Sequence, residues 1–179
     1  MKLFVTSNQQ FGRPGAINSY SRPFKDVDEM NKYMIQQWNS VVGKDDSVFV
    51  LGNFAWQPEV AEESVSQLNG FIYVMNGEWD QSTQELVKNK VNPKLHYLSE
   101  GIRNLPGSKM VLSYWPLVDW LKKKSGAVSF IGHPNKAYKT DHKKRIVNVA
   151  CDRWDFKPID ASEMVKLYND PDLSNKDEK

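Results

Sequence analysis

Three histidines (His96, His133 and His142) and one cysteine (Cys151) are the imidazole and thiol groups available for chemistry in a chain of 179 residues. A hydrolytic metal centre built on imidazole would use nearly all of them, and a cysteine-rich zinc site is excluded. One cysteine makes no disulfide framework, which points to a reducing compartment and a cytoplasmic location. Cys151 follows the apolar run Ile146 to Ala150 with no histidine beside it in sequence, so it reads as a small buried residue and not as a nucleophile. His96 falls in Lys94-Leu95-His96-Tyr97, a strand or edge segment, and His142 falls in a charged turn.

The elements that would position such groups are legible as apolar runs bounded by Gly, Pro and Asn. Strands are predicted at Leu3 to Thr6, Val48 to Leu51, Phe71 to Met75, Lys109 to Tyr114, Val128 to Ile131 and Arg145 to Ala150. Helical spacing is clearest where Val27, Met30, Met34, Trp38 and Val41 or Val42 recur. That helix starts at Asp26 with Glu29 three residues on, a capping-box pattern, and ends at Gly43. Further helices are predicted from Pro58 to Leu68, over Gln81 to Val91, and from Asp160, with Glu163 in its first turn, to about Tyr168. Interleaved strands and helices without a repeat or linker predict one α/β domain over residues 1–168, with a polar tail over 169–179. The opening run Met1 to Val5 stops at Thr6-Ser7-Asn8, too short for a signal-peptide core, so neither secretion nor membrane insertion is expected.

In open α/β sheets, ligands bind where loops leave the carboxyl ends of strands. Those loops read Ser7-Asn8-Gln9-Gln10-Phe11-Gly12, Gly52-Asn53-Phe54, Asn76-Gly77-Glu78-Trp79-Asp80, Ser113-Tyr114-Trp115-Pro116 and Gly132-His133-Pro134-Asn135. Their order and spacing resemble the calcineurin-like metallophosphoesterases, in particular the small single-domain type met in phage and bacterial genomes. The resemblance runs from about Leu3 to about Leu167. It includes Arg22-Pro23-Phe24, Met30-Asn31, Trp38-Asn39, Val50-Leu51-Gly52, Leu68-Asn69-Gly70, Asn148-Val149, and Asp152 with Trp154-Asp155-Phe156-Lys157-Pro158. It implies an αββα sandwich, two mixed sheets flanked by helices.

The resemblance also implies a site. The family holds two metal ions that activate a bridging water and bind phosphate oxygens. Its Asp-x-His motif falls here on Asn8 and Gln10, and its Gly-Asp motif on Gly52-Asn53. Gly-Asn-His-Asp becomes Gly77-Glu78-Trp79-Asp80, so a ligand Asn is replaced by Glu78, the leaving-group His by Trp79, and Asp80 is retained. A His ahead of an aromatic-Pro pair becomes Tyr114, and Gly-His-x-His keeps His133 while its second His becomes Asn135. Of the positions Asn8, Gln10, Asn53, Glu78, Tyr114, His133 and Asn135, only His133 keeps the family's residue. Neutral amides hold divalent ions weakly, and Trp79 cannot supply a proton near neutral pH. The expectation is therefore a phosphoesterase-like protein with no metal, cofactor or catalytic residue.

A decayed site packed shut is the plain reading of these positions; a pocket of amides with Tyr114 and His133 that hydrogen-bonds a phosphate or a base edge is the other. Lysines cluster at Lys122, Lys123 and Lys124, and again at Lys136, Lys139, Lys143, Lys144 and Arg145, expected beside the site mouth. They read either as a solvated face or as a patch for an anionic partner. Net charge is +2, from 24 Lys+Arg against 22 Asp+Glu, which argues against a dedicated duplex-DNA binder. Trp56, Trp79, Trp115 and Trp120 lie in or near loops, where indoles anchor interfaces, although Trp115 and Trp120 are also candidates for the core. The expected mode of action is binding to a protein partner, a host component if the chain is phage-encoded, with no membrane role. A remodelled one-metal phosphoesterase or nucleotide-binding enzyme using Glu78, Asp80 and His133, and a nucleic-acid module using the lysines, are the alternatives.

Overall fold

The computed structural model describes residues 1–88, 92–99 and 101–170. In chain order the first half runs β1 (Leu3–Thr6), α1 (Gly15–Tyr20), α2 (Val27–Val41), β2 (Ser47–Val50), α3 (Pro58–Gln67), β3 (Phe71–Met75), α4 (Gln81–Lys88) and β4 (Leu95–Leu98). The second half runs β5 (Ile102–Asn104), β6 (Met110–Ser113), β7 (Val128–Ile131), β8 (Ile146–Asn148), β9 (Ile159–Asp160) and α5 (Ala161–Tyr168). Two mixed sheets result, flanked by helices. The first has the order β4-β3-β2-β1-β9, parallel except for β9, and the second β5-β6-β7-β8, parallel except for β5.

Period-two alternation sends each strand of the first sheet to two different cores. Phe4, Val48, Ile72 and Leu95 are in register and face α2, α3 and α4, where Met30, Met34, Trp38, Val65 and Leu86 are buried. Val5 and Phe49 turn the other way and pack with Leu51 and Met75 against Leu112, Val128, Phe130 and Val147 of the second sheet. His96 belongs to this face: its ring stacks on Tyr73, centroids 4.8 Å apart, and Tyr73 stacks in turn on Phe49 at 5.0 Å. The outer face of the second sheet is covered in part by the connection between β6 and β7. Trp120 seals Val111 and Ala127 there, donating from Nε1 to the Ala127 carbonyl at 2.9 Å, so it belongs to the core. No helix of the described residues is long and apolar enough to cross a membrane.

The terminal signals form largely as their residue types require. Asp26 caps α2 by accepting from the Glu29 N–H at 2.9 Å, but Glu29 reaches back to the Lys25 N–H, so the reciprocal half of the capping box is displaced by one residue. Pro58 opens α3, and Asp160 caps α5 by accepting from Ser162 and Glu163. The predicted strands ending at Leu51, Tyr114 and Ala150 stop earlier, because those residues turn into the loops that make the site. Residues 89–91 of the predicted fourth helix lie outside the described residues. So do 171–179 of the predicted tail, while Asn169 is anchored: its amide donates to Gly126 and Val165 carbonyls and accepts from Arg145.

Trp38 sits at the centre of the helix-side core, fully buried, with Nε1 donating to the Asn69 carbonyl at 3.0 Å. Trp38→Ala is expected to cost about 3–5 kcal/mol, read as a lower urea midpoint with an unchanged slope.

Candidate functional site

The loops leaving β1, β2, β3, β6 and β7 converge at one end of the sandwich. The first two run together as a short ladder: Asn8 N–H donates to Gly52, Gln10 N–H to Asn53 and Phe11 N–H to Phe54. Asn8, Gln10 and Asn53 all take left-handed backbone conformations, with φ of 62°, 52° and 60°. Asn tolerates this region; Gln does so at more cost, so the surroundings must hold Gln10 in place. Close packing of strand ends needs two glycines. A Cβ on Gly132 would lie 1.9 Å from the Leu51 carbonyl oxygen, and one on Gly52, at φ 93°, would lie 2.8 Å from the Gly77 Cα.

Asn8, Gln10 and Asn53 are buried, and their amides are engaged inside the protein. Asn8 Nδ2 donates to Asp152 at 2.9 Å, while its Oδ1 accepts from Gln10 Nε2. Gln10 Nε2 also donates to the Tyr20 hydroxyl at 2.9 Å, and Gln10 Oε1 accepts from Arg13 at 2.6 Å. Asn53 Nδ2 donates to Tyr114 Oη at 3.1 Å and its Oδ1 accepts from the Glu78 N–H at 3.0 Å. Burial raises the Tyr114 hydroxyl well above the usual phenol range, which keeps it a neutral group. Asp80 is buried and accepts three backbone N–H groups, those of Asn53 at 2.7 Å, Phe54 at 2.8 Å and Gly77 at 2.7 Å. Burial pushes its carboxyl upward against the pull of those donors.

His133 lies at the open side. Its ring packs on Trp115 at 4.6 Å and against Tyr114 and Tyr138, each at 5.2 Å. Nδ1 accepts from the Asn135 N–H at 3.1 Å, and Nε2 stands 3.9 Å from Glu78 Oε1. Burial holds its pKa below the ordinary 6.5, with Glu78 opposing. Asn135 turns its side-chain oxygen to the Ala137 N–H at 2.8 Å, so it closes a turn.

This donor set does not fit a pair of metal ions. The amide oxygens at positions 8, 10 and 53 already accept hydrogen bonds, buried Asp80 is engaged by three backbone donors, and Glu78 and His133 remain as the ionisable pair. Among the described residues no group of three or more His, Cys, Asp or Glu could hold a metal ion.

Comparisons with known proteins agree with the fold and stop there. No family model matches the chain. An uncharacterized protein of Methanocaldococcus jannaschii, MJ1445, is 26% identical over 174 residues, covering 93% of this chain and 90% of that protein. The crystal structure of a protein of unknown function from Aquifex aeolicus, AQ665, superposes with a TM-score of 0.69 at 19% identity, covering 93% of this chain and 98% of the other. This second likeness is one of fold alone.

The site also contains residues outside the sequence motifs. Arg22 donates to Asp152 through Nε at 2.7 Å and Nη2 at 3.1 Å, and to the carbonyls of Asn8 and Gln9 at 2.6 and 2.8 Å. Cys151 packs beneath it, fully buried, its thiol pushed well upward by burial. Arg13 lies over Trp56 and Trp79, 5.0 Å from each ring, and these indoles are 41% and 39% exposed. An arginine three residues after Gln10 was the available signal for that contact.

The expected placement of the lysines is corrected. Lys122, Lys123 and Lys124 precede β7, and Lys143, Lys144 and Arg145 precede β8, so they lie at the amino ends of these strands, opposite the site. Lys123 is further occupied with the Val118 carbonyl and the Trp120 ring, Lys144 with Asp141, and Arg145 with Tyr168 and Asn169. Of the second cluster, Lys136 follows directly on Asn135 at the site end, and Lys139 lies further along the connection to β8.

Two outcomes follow. Arg22→Ala is expected to lose about 3 kcal/mol or more, since it strands a partly buried carboxylate; equal urea midpoints would contradict this. For His133, the unfolded imidazole binds protons first as pH falls through 6.5, so stability is full above that value and declines below it. His133→Gln should flatten that decline between pH near 7.5 and 5.5; identical pH dependence in both proteins would refute the assignment.

Proposed function

We propose that this chain is a calcineurin-like αββα protein that has given up the metal-dependent hydrolysis of its fold family and acts by binding a protein partner. The resemblance in the loop sequences supports the family assignment, and the two mixed sheets with loops converging at the carboxyl ends of β1, β2, β3, β6 and β7 fit it. The observation that carries the functional reading is the mutual engagement of Asn8, Gln10 and Asn53. Side chains standing where the family has metal ligands hydrogen-bond to one another and to Asp152, Arg13, Tyr20, Tyr114 and the Glu78 backbone. A buried amide that already has its partners loses them on turning toward a cation, and neutral oxygens return little for that loss. Of the groups nearest them, the Tyr114 hydroxyl is held neutral and Asp80 is engaged by three backbone donors.

A mouth that cannot read a small ligand through free polar groups on its floor has its remaining chemistry on the rim. There Trp56, Trp79 and Trp115 are 41%, 39% and 49% exposed, and exposed indoles beside arginine are the composition of protein-interface anchors.

The test is direct. The purified chain is equilibrated with Mn²⁺, its metal content measured by elemental analysis, and hydrolysis of bis(p-nitrophenyl) phosphate followed. The expected result is no stoichiometric metal and no turnover above buffer. Stoichiometric Mn²⁺ with turnover abolished by His133→Ala would overturn the reading in favour of a one-metal phosphoesterase.

A further inference from the structure

Arg13 is the exceptional charge of this region. It is half-buried, fixed on one side by Gln10 Oε1 at 2.6 Å and on the other by two indole faces, and among the described residues it has no carboxylate partner. A guanidinium held in one place, partly desolvated and lacking a counter-ion, is pre-organised for an anionic group. Beyond it the rim continues through Trp79 and Glu78 to His133 and Trp115. Arg153 approaches from the far side, 3.5 Å from the Asn135 carbonyl, with Lys136 next in the chain. Arg13 and Arg153 therefore border an aromatic surface that also carries the exposed carboxylate of Glu78.

We propose that this rim is a docking surface for an acidic segment of a partner protein carrying an aromatic or aliphatic anchor. The inference rests on the non-hydrolytic reading above. The anionic side chain meets Arg13, and the anchor packs among the exposed faces of Trp79 and Trp115. Nucleic acid fits less well. A phosphate backbone needs a track of cations, and the basic residues that could extend one, Lys122 to Lys124 and Lys143 to Arg145, lie at the opposite ends of the strands.

The experiment uses the full chain, labelled and sorted against a yeast-displayed library of random peptides, with an oligothymidylate arm measured in parallel. Enriched peptides are expected to combine Asp or Glu with an aromatic or large aliphatic residue, and to bind more weakly as salt rises. For an enriched peptide made synthetically, Arg13→Ala and Trp115→Ala should each weaken binding by about tenfold, a loss of about 1.4 kcal/mol, while Lys122→Glu with Lys124→Glu leaves it unchanged. Arg13→Lys, which keeps the charge but not the fork, guards against misfolding and should fall between Arg13→Ala and the parent chain. Enrichment of basic or uncharged peptides, no enrichment, binding indifferent to the Arg13 and Trp115 variants, or tighter binding of oligothymidylate would each overturn the proposal. These outcomes are independent of the metal and turnover measurements, whose failure would overturn the non-hydrolytic reading itself.

Discussion

The guanidinium of Arg22 donates to four oxygen acceptors that belong to two distant parts of the chain, the carbonyls of Asn8 and Gln9 after β1 and both oxygens of Asp152 after β8. Its side chain is 1% exposed and that of Asp152 is 20% exposed, so the pair is largely removed from water. Such burial is tolerated only with good geometry and with the remaining donors satisfied, and here the planar fork meets both conditions. The loop after β1 is thereby tied to the turn after β8. Asp152 then has one oxygen in position to accept from Asn8, Asn8 accepts from Gln10, and Gln10 accepts from Arg13. The order of that relay explains how Asn8 and Gln10, two residues with left-handed backbones and neither of them glycine, stay where they are.

Asp80 plays the matching part for the loops after β2 and β3. Three backbone N–H groups from two loops converge on one carboxylate, which fixes Asn53 and brings Glu78 to it. The two systems meet where the Asn8 and Gln10 N–H groups pair with Gly52 and Asn53. In this setting a carboxylate at position 8 or 53 would place a second negative charge in a buried spot beside Asp152 or Asp80. Neutral amides avoid that cost because each can donate and accept at once. The polarity of the mouth is therefore met by hydrogen bonds within the protein.

The long elements were legible in the sequence because each has a single dominant signal. The spacing of Met30, Met34 and Trp38 marked the buried face of α2, and Asp26 and Asp160 marked two helix starts through their side-chain oxygens. Short elements had no such signal. β9 is two residues long and exists because Ile159 and Asp160 pair with Val5 and Phe4, a contact across nearly the whole chain. β5 alternates exposed residues with a half-buried Arg103 and pairs only at an edge, and α1 is a six-residue turn between loops. At the site, the positions were readable from the loop motifs, but their hydrogen-bond partners were not. Arg13 and Tyr20 reach Gln10 through folding of the β1 loop, which residue type alone does not encode. The lysines were misplaced for a similar reason. Sequence distance from the last two loops was short, yet residues that precede a parallel strand lie at its amino end, a full strand length from the loops that follow it.

That polarity gives the second sheet two ends of different chemistry. At the amino ends of β7 and β8 the basic residues are held by local contacts, Lys123 by Val118 and Trp120 and Arg145 by the end of α5, so several of them act as structural ties. At the carboxyl ends the polar groups are consumed by the loop network and the indoles are left outside. Trp56, Trp79 and Trp115 are 41%, 39% and 49% exposed, so each leaves apolar area in water. Trp79 and Trp115 are held in the chain next to Asp80 and Tyr114, whose bonds to Phe54 N–H and Asn53 Nδ2 fix the loop after β2. The same constraint that closes the floor of the mouth therefore keeps its rim open.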